Sequence, residues 1–350
     1  MIPPQQSPSD ILRRMISGFA RTQELYTLVK LGIADHLADG PKQAHELAQA
    51  VNAHPQALFR FLRVMVARDL LLEEDDGGFR LSPLGEFLRS DHLDSLYNLI
   101  IYTGEVSYHV GRGMLRTVQT GQPSFDHILG MPFFDYLAQH PHLGTAFNDV
   151  MSQGGNERAA DVVATYDFSQ ADTIVDVGGG NGTLLAIILH AHPGSQGIVF
   201  DVPEVVAEAQ HNLAQNGLAD RCQTVAGDFF HDPIPPGRDL YLLSNIIHDW
   251  DDDHAIQILR NCRTAMRDDS RLLLIEQIMP KRVTDAPAVV GSDLSMLLLF
   301  GSAERTEAEY RSLLALAGLQ LTEVIPFELN HIYGGTRPNW AIIESKLLNK

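Results

Sequence analysis

The sequence predicts an α/β protein: a doubly wound, mostly parallel sheet in the C-terminal half, preceded by a mostly helical N-terminal domain. Three observations carry this. Strands and helices alternate from Thr173 to about residue 345. Thr173 to Leu185, TIVDVGGGNGTLL, reads as a short buried strand, a glycine turn and the start of a helix. Residues 11–82 give helical spacing and then a hairpin.

At 350 residues the chain is long enough for two domains, each with its own core. A formal charge of −18 disfavours nucleic acid and anionic membrane as general partners. The two cysteines, Cys222 and Cys262, are too few for a disulfide framework or a thiolate zinc site, and no metal is expected. The start, MIPPQQSPSD, has no apolar core of a secretory signal. The longest strongly apolar run, Leu294 to Phe300, is too short to span a bilayer. A reduced, cytoplasmic location is the expectation.

Residues 1–10 read as a disordered tail and 11–104 as the N-terminal domain. Apolar residues recur at helical spacing from Ile11 to Leu37, and helices are expected over 45–51 and 57–71, with Pro55 in a first turn. Residues 70–82 form a hairpin around Asp75-Asp76-Gly77-Gly78. Helices followed by a hairpin suggest a winged helix, which serves either DNA binding or dimerisation. Arg60, Arg63 and Arg68 on the second helix keep DNA in view. Against it, residues 1–104 hold ten Lys/Arg and thirteen Asp/Glu, a net −3, and the hairpin tip is Glu73-Glu74-Asp75-Asp76. An apolar surface that such a domain cannot cover alone suits a twofold partner, so a homodimer is expected.

Residues 105–350 read as the second domain. Its first part, 105–172, is helical and rich in aromatic residues suited to lining a pocket. The core, 173–350, places strands at 173–177, 197–201, 222–226, 239–244, 271–276, 320–328 and about 338–345. Helices lie near 183–191, 203–216, 252–267, 288–300 and 306–317. Ligand then belongs at the carboxyl ends of the strands, beside the glycine turn.

A dinucleotide fingerprint spaces its glycines G-x-G-x-x-G, but here Gly178, Gly180 and Gly182 put the third glycine one place early. Asp201 closes the second strand, where a carboxylate accepts ribose hydroxyls of either NAD or S-adenosylmethionine. Asp228 and Phe229 stand at the next strand end, placed to receive adenine. Asp176 beside the turn would repel a pyrophosphate and suits a cationic ligand. These features favour S-adenosylmethionine.

DVGGGNG, FDVPEV, GDFF, NIIHDWDDDHAIQILRNC, EQIMP and AERTEAEY, in that order, resemble the small-molecule O-methyltransferases of the caffeate and acetylserotonin type, over about residues 20–345. The resemblance implies a Rossmann-like class I methyltransferase core, an N-terminal winged-helix dimerisation domain, and a hydroxyl acceptor on a small aromatic molecule, as in bacterial natural-product relatives. It places the general base on His248, flanked by Glu276 and Glu304. It places cofactor contacts on Asp176, Gly178, Gly180, Asp201, Val202, Asp228, Phe229 and Ser244, where plant caffeate-type members carry a lysine in place of Ser244. Acceptor contacts fall on Phe147, Met151, Trp250, Asp293, Met296 and Phe300. The chemistry agrees: a phenol ionises near 10, and an imidazole near 6.5 can take its proton as attack proceeds. A carboxylate on the far ring nitrogen would fix the tautomer. Glu276 ends a strand expected beside the one leading to His248. Glu304 has a competing reading as a surface partner of Arg305, and Asp249 as a helix cap. Alternative activities on the same scaffold are C- or N-methylation, hydroxylation or decarboxylation, and a winged-helix regulator that senses S-adenosylmethionine.

Overall fold

The computed structural model describes residues 7–327 and 339–348, apart from the side chains of 152–154, 156 and 157. The backbone divides into two compact units, Met1–Arg112 with Tyr136–Val150, and Gly113–Asp135 with Met151–Lys350.

In the first unit, helix Pro8–Ile16 begins inside the segment expected to be disordered. Ser7 caps it by accepting the Asp10 N–H, with Pro8 at the first helical position, so Ser7-Pro8 is a helix-initiation signal, while residues 1–6 of the expected tail lie outside the described residues. Helices Gly18–Lys30, Ile33–His36, Ala44–Ala50 and Pro55–Val66 follow. The last stops at Val66, short of the expected residue 71, because the chain turns through Asp69 at φ +60. Strands β1 (Leu71–Glu73) and β2 (Phe79–Leu81) then pair antiparallel. Of the arginines that kept DNA in view, Arg68 is committed to Glu24, Nε to Oε2 at 2.9 Å.

In the second unit, strands β3 (Thr173–Val177), β4 (Gln196–Asp201), β5 (Cys222–Ala226), β6 (Leu240–Ser244), β7 (Arg271–Gln277), β8 (Leu319–Phe327) and β9 (Trp340–Leu347) form one sheet in the order β5-β4-β3-β6-β7-β9-β8. The first five are parallel, and β9 runs antiparallel to both β7 and β8. Residues 328 and 338, expected in the last two strands, lie outside the described residues.

Both sheet faces are covered, which is why the strands read as continuous apolar runs. Val175 and Val177 face a core shared with helices Asp252–Ala265 and Glu307–Leu316. Ile174 faces the other core, with helices Thr183–Ala191 and Pro203–Gln215. The strand order reverses at β3, so the carboxyl ends of β3, β4 and β6 open a crevice at the glycine turn.

Candidate active site

Gly178, Gly180 and Gly182 all take left-handed backbone, φ +69, +57 and +77, which accounts for their alternate spacing. A Cβ on Gly178 would stand 2.5 Å from Ile246 Cδ1, whereas the space around Gly180 is open. The turn therefore offers bare backbone to a ligand at the N-terminus of helix Thr183–Ala191.

Two carboxylates frame this turn. Asp201 uses both oxygens on backbone N–H groups, Oδ2 on Gly180 at 2.9 Å and Oδ1 on Val202 at 2.7 Å. Asp176, 1% exposed, has no hydrogen-bond partner on either oxygen. Burial, reinforced by the nearby Asp201, pushes its carboxyl up to about 7. An orphaned buried carboxylate beside a bare glycine turn fits a cationic group, and not a pyrophosphate. Phe229 borders the turn, with its ring edge 3.6 Å from where a Gly178 Cβ would sit. The Asp228 carboxylate accepts the Phe230 N–H at 2.8 Å and faces His231 at 2.6 Å, so it also stabilises its own turn. Ser244 is half-buried at the end of β6, and Val202 is exposed.

One strand further on, β6 and β7 pair Ser244 with Ile275, which brings Glu276 against the loop after β6. Glu276 is fully buried, and its Oε1 accepts the N–H groups of Ile246 at 3.1 Å and Ile247 at 2.8 Å. Its Oε2 has no hydrogen-bond partner and lies 3.6 Å from His248 Nδ1. Glu304, 3% exposed, sits 3.3 Å from the same Nδ1 and is held by Ser292 Oγ at 2.7 Å and Gln277 Nε2 at 3.2 Å. Two carboxylates at Nδ1 fix it as the protonated nitrogen. On the other side of the ring, Asp249 Oδ1 lies 3.4 Å from Nε2. Glu304 thus turns inward to the imidazole, and the expectation of a surface pair with Arg305 fails, since both side chains are buried.

The electrostatics depart from the sequence reading. Burial alone would lower the proton affinity of His248, but Glu276, Asp249 and Glu304 more than offset it and push the imidazole up to about 10, not the expected 6.5. Burial pushes Glu276 up to about 7 and Asp249 to about 6. The ligand atoms of His248, Glu276 and Glu304 lie within 4.8 Å of one another, close enough to grip a divalent cation. An Nδ1 that donates to Glu304 has no lone pair for one.

Two residues beyond the histidine, Trp250 joins a row of stacked rings. Trp250 stacks on Phe134 at 6.3 Å between centroids, and Phe134 stacks on Phe300 at 5.8 Å. Phe134 is one of the aromatics in the stretch expected to contribute to a pocket, and sequence does not say which of them do so. Asp293 Oδ1 accepts the Glu304 N–H at 2.9 Å, and Met296 lies half-buried on the same helix, Pro287–Leu299. Met151 is exposed, and Phe147 belongs to the first unit, where it packs against Tyr102 at 5.7 Å.

Residues 112–320 match the O-methyltransferase domain, and residues 14–91 match the O-methyltransferase dimerisation domain. A phenazine O-methyltransferase of Lysobacter antibioticus is 42% identical over 320 residues, covering 91% of this chain and 93% of the relative. The O-demethylpuromycin-O-methyltransferase of Streptomyces alboniger is 37% identical over 314 residues, covering 89% and 83%. The crystal structure of an O-methyltransferase from neocarzinostatin biosynthesis, in complex with S-adenosylmethionine and 2-hydroxy-5-methyl naphthoic acid, superimposes with a TM-score of 0.82. It is 33% identical and covers 95% of this chain and 98% of that one. With the glycine turn, the orphaned acid and the paired strands already in place, these likenesses settle the class: the chain belongs to the S-adenosylmethionine-dependent O-methyltransferases.

Proposed function

We propose that this enzyme methylates a phenolic hydroxyl of a small aromatic natural product, with His248 as general base and Glu276 and Glu304 as its supports. The observation that carries the reading is the setting of His248. Its Nδ1 is clamped by two buried carboxylates, while Trp250, two residues on, belongs to an aromatic wall. S-adenosylmethionine, when bound, supplies a methyl group on a sulfonium, activated for in-line displacement by the acceptor oxygen. Asp176, Gly178, Gly180, Asp201, Val202, Asp228, Phe229 and Ser244 are assigned to hold it. The chain's own chemical task is to orient the acceptor and take one proton.

Raised to about 10, His248 matches a phenol, which ionises near 10, so the transfer between them is close to thermoneutral. The same elevation keeps the free imidazole protonated at neutral pH. Neutral imidazole with phenol and imidazolium with phenolate are the same protonation state, so either entry reaches the reactive complex after loss of one proton.

Trp250, Met296, Phe300, Asp293 and Met151 are assigned to the acceptor. A homodimer through the N-terminal domain is part of the proposal, supported by the dimerisation-domain match. Among the described residues no helix is long and apolar enough to cross a membrane, and a cytoplasmic location is part of the proposal. The test offers labelled S-adenosylmethionine with a panel of phenols and aromatic amines. Label transferred to phenolic oxygen supports the reading, and label confined to nitrogen or carbon overturns it.

A further inference from the structure

Arg305 is 4% exposed, and its guanidinium turns away from its neighbour Glu304. Nη1 donates to the Ile247 carbonyl at 2.7 Å and Nη2 to the Trp250 carbonyl at 2.6 Å. Nε and Nη2 also reach Asp252 Oδ1 at 3.1 and 2.9 Å. The Asp252 side chain is 74% exposed, so this ion pair is a weak reason to bury a cation. The two carbonyls are the better reason, because they bracket His248 in the tight turn Ile247–Asp249. At the front of the same turn, Glu276 takes the N–H groups of Ile246 and Ile247. The backbone of Arg305 is itself anchored, its carbonyl accepting the Met279 N–H at 2.9 Å just past β7.

We propose that Arg305 is a positioning residue for methyl transfer: its planar fork holds the carbonyls on either side of His248 and so sets the direction in which Nε2 meets the acceptor hydroxyl. Glu304 and Arg305 then divide the task, the carboxylate taking the ring and the guanidinium taking the backbone that carries it. A lysine would keep the charge but cannot satisfy two divergent carbonyls in one plane. The inference rests on the reading of His248 as the base.

The test compares Arg305→Lys and Arg305→Ala with the parent enzyme, each alone and with His248→Ala. Arg305→Lys is expected to fold and to bind S-adenosylmethionine with unchanged affinity, while kcat falls about tenfold or more. Guanidinium ion at low millimolar concentration is expected to restore part of the kcat of Arg305→Ala. In the His248→Ala background, Arg305→Lys should cost no more than about twofold, since the group it aims is gone. Parental kcat in Arg305→Lys overturns the proposal. So does an undiminished loss in the His248→Ala background, or failure of guanidinium rescue with melting temperature and cofactor affinity falling alongside kcat. If His248→Ala by itself retains full turnover, the base assignment fails first, and that result is distinct from the others.

Discussion

Asp249 Oδ1 stands 3.4 Å from Nε2 of His248, on the opposite side of the imidazole from the carboxylates of Glu276 and Glu304. The ring is therefore enclosed by acids, and its proton affinity is a property of the cluster. A base must be neutral to act, and one raised to about 10 gains neutral population as pH rises. For an acceptor phenol that ionises near 10, kcat/KM is expected to climb from pH 7 to a maximum near pH 10 and to fall beyond it, where base and phenol have both lost their protons. Replacing Glu276 with Gln removes one supporting charge, so its rising limb should lie at lower pH than the parent's. A pH–rate profile of both enzymes checks this, and coincident limbs would contradict the electrostatic account.

His248→Ala is expected to lower kcat by about 10²-fold or more with the affinity for S-adenosylmethionine unchanged, because the imidazole serves the proton and not the cofactor. Single-turnover methyl transfer and calorimetric titration separate the two quantities.

Asp176→Asn should stabilise the folded protein at pH 8 and weaken cofactor binding together. The native carboxyl is raised to about 7, so the stability tied to its protonated form is present below pH 4 and lost as pH rises through 7. Removing a buried, unpartnered charge should then raise the melting temperature by several degrees at pH 8 and little at pH 4. Thermal scans at the two pH values, with titration of S-adenosylmethionine, read both effects.

Gly178→Ala and Gly180→Ala should differ. Both force a left-handed residue, costing about 1 kcal/mol. Only the Gly178 Cβ also meets Ile246, at 2.5 Å, in the loop that leads to His248. Gly178→Ala is expected to lose more stability and more activity, and denaturant melts with turnover measurements rank the pair.

The homodimer assignment predicts a particle of about twice the 38.7 kDa chain in size-exclusion chromatography with light scattering. A particle of chain mass at micromolar concentration would remove it.

Much of this was legible because the signals are local. Strand β3, the glycine turn and the helix after it occupy consecutive residues, and the buried apolar runs of a parallel sheet are read without knowing their neighbours. The pairing of β6 with β7, and with it the approach of Glu276 to the His248 loop, followed from alternating strands and helices. What sequence left open was side-chain direction. Glu304 and Arg305 are adjacent, and nothing in their spacing says that one faces the imidazole and the other the carbonyls around it. Phe134 lies in the aromatic stretch suited to lining a pocket, but sequence does not separate it from its neighbours there, because its partners Trp250 and Phe300 are more than a hundred positions away. The proton affinity of His248 is illegible in sequence for the same reason. A side chain's ordinary pKa comes with its type, but the shift comes from charges and burial that only the fold assembles. The sequence by itself determined the architecture and the kinds of group at the site. The tertiary structure decided which of them face one another, because that depends on through-space distances that residue order does not encode.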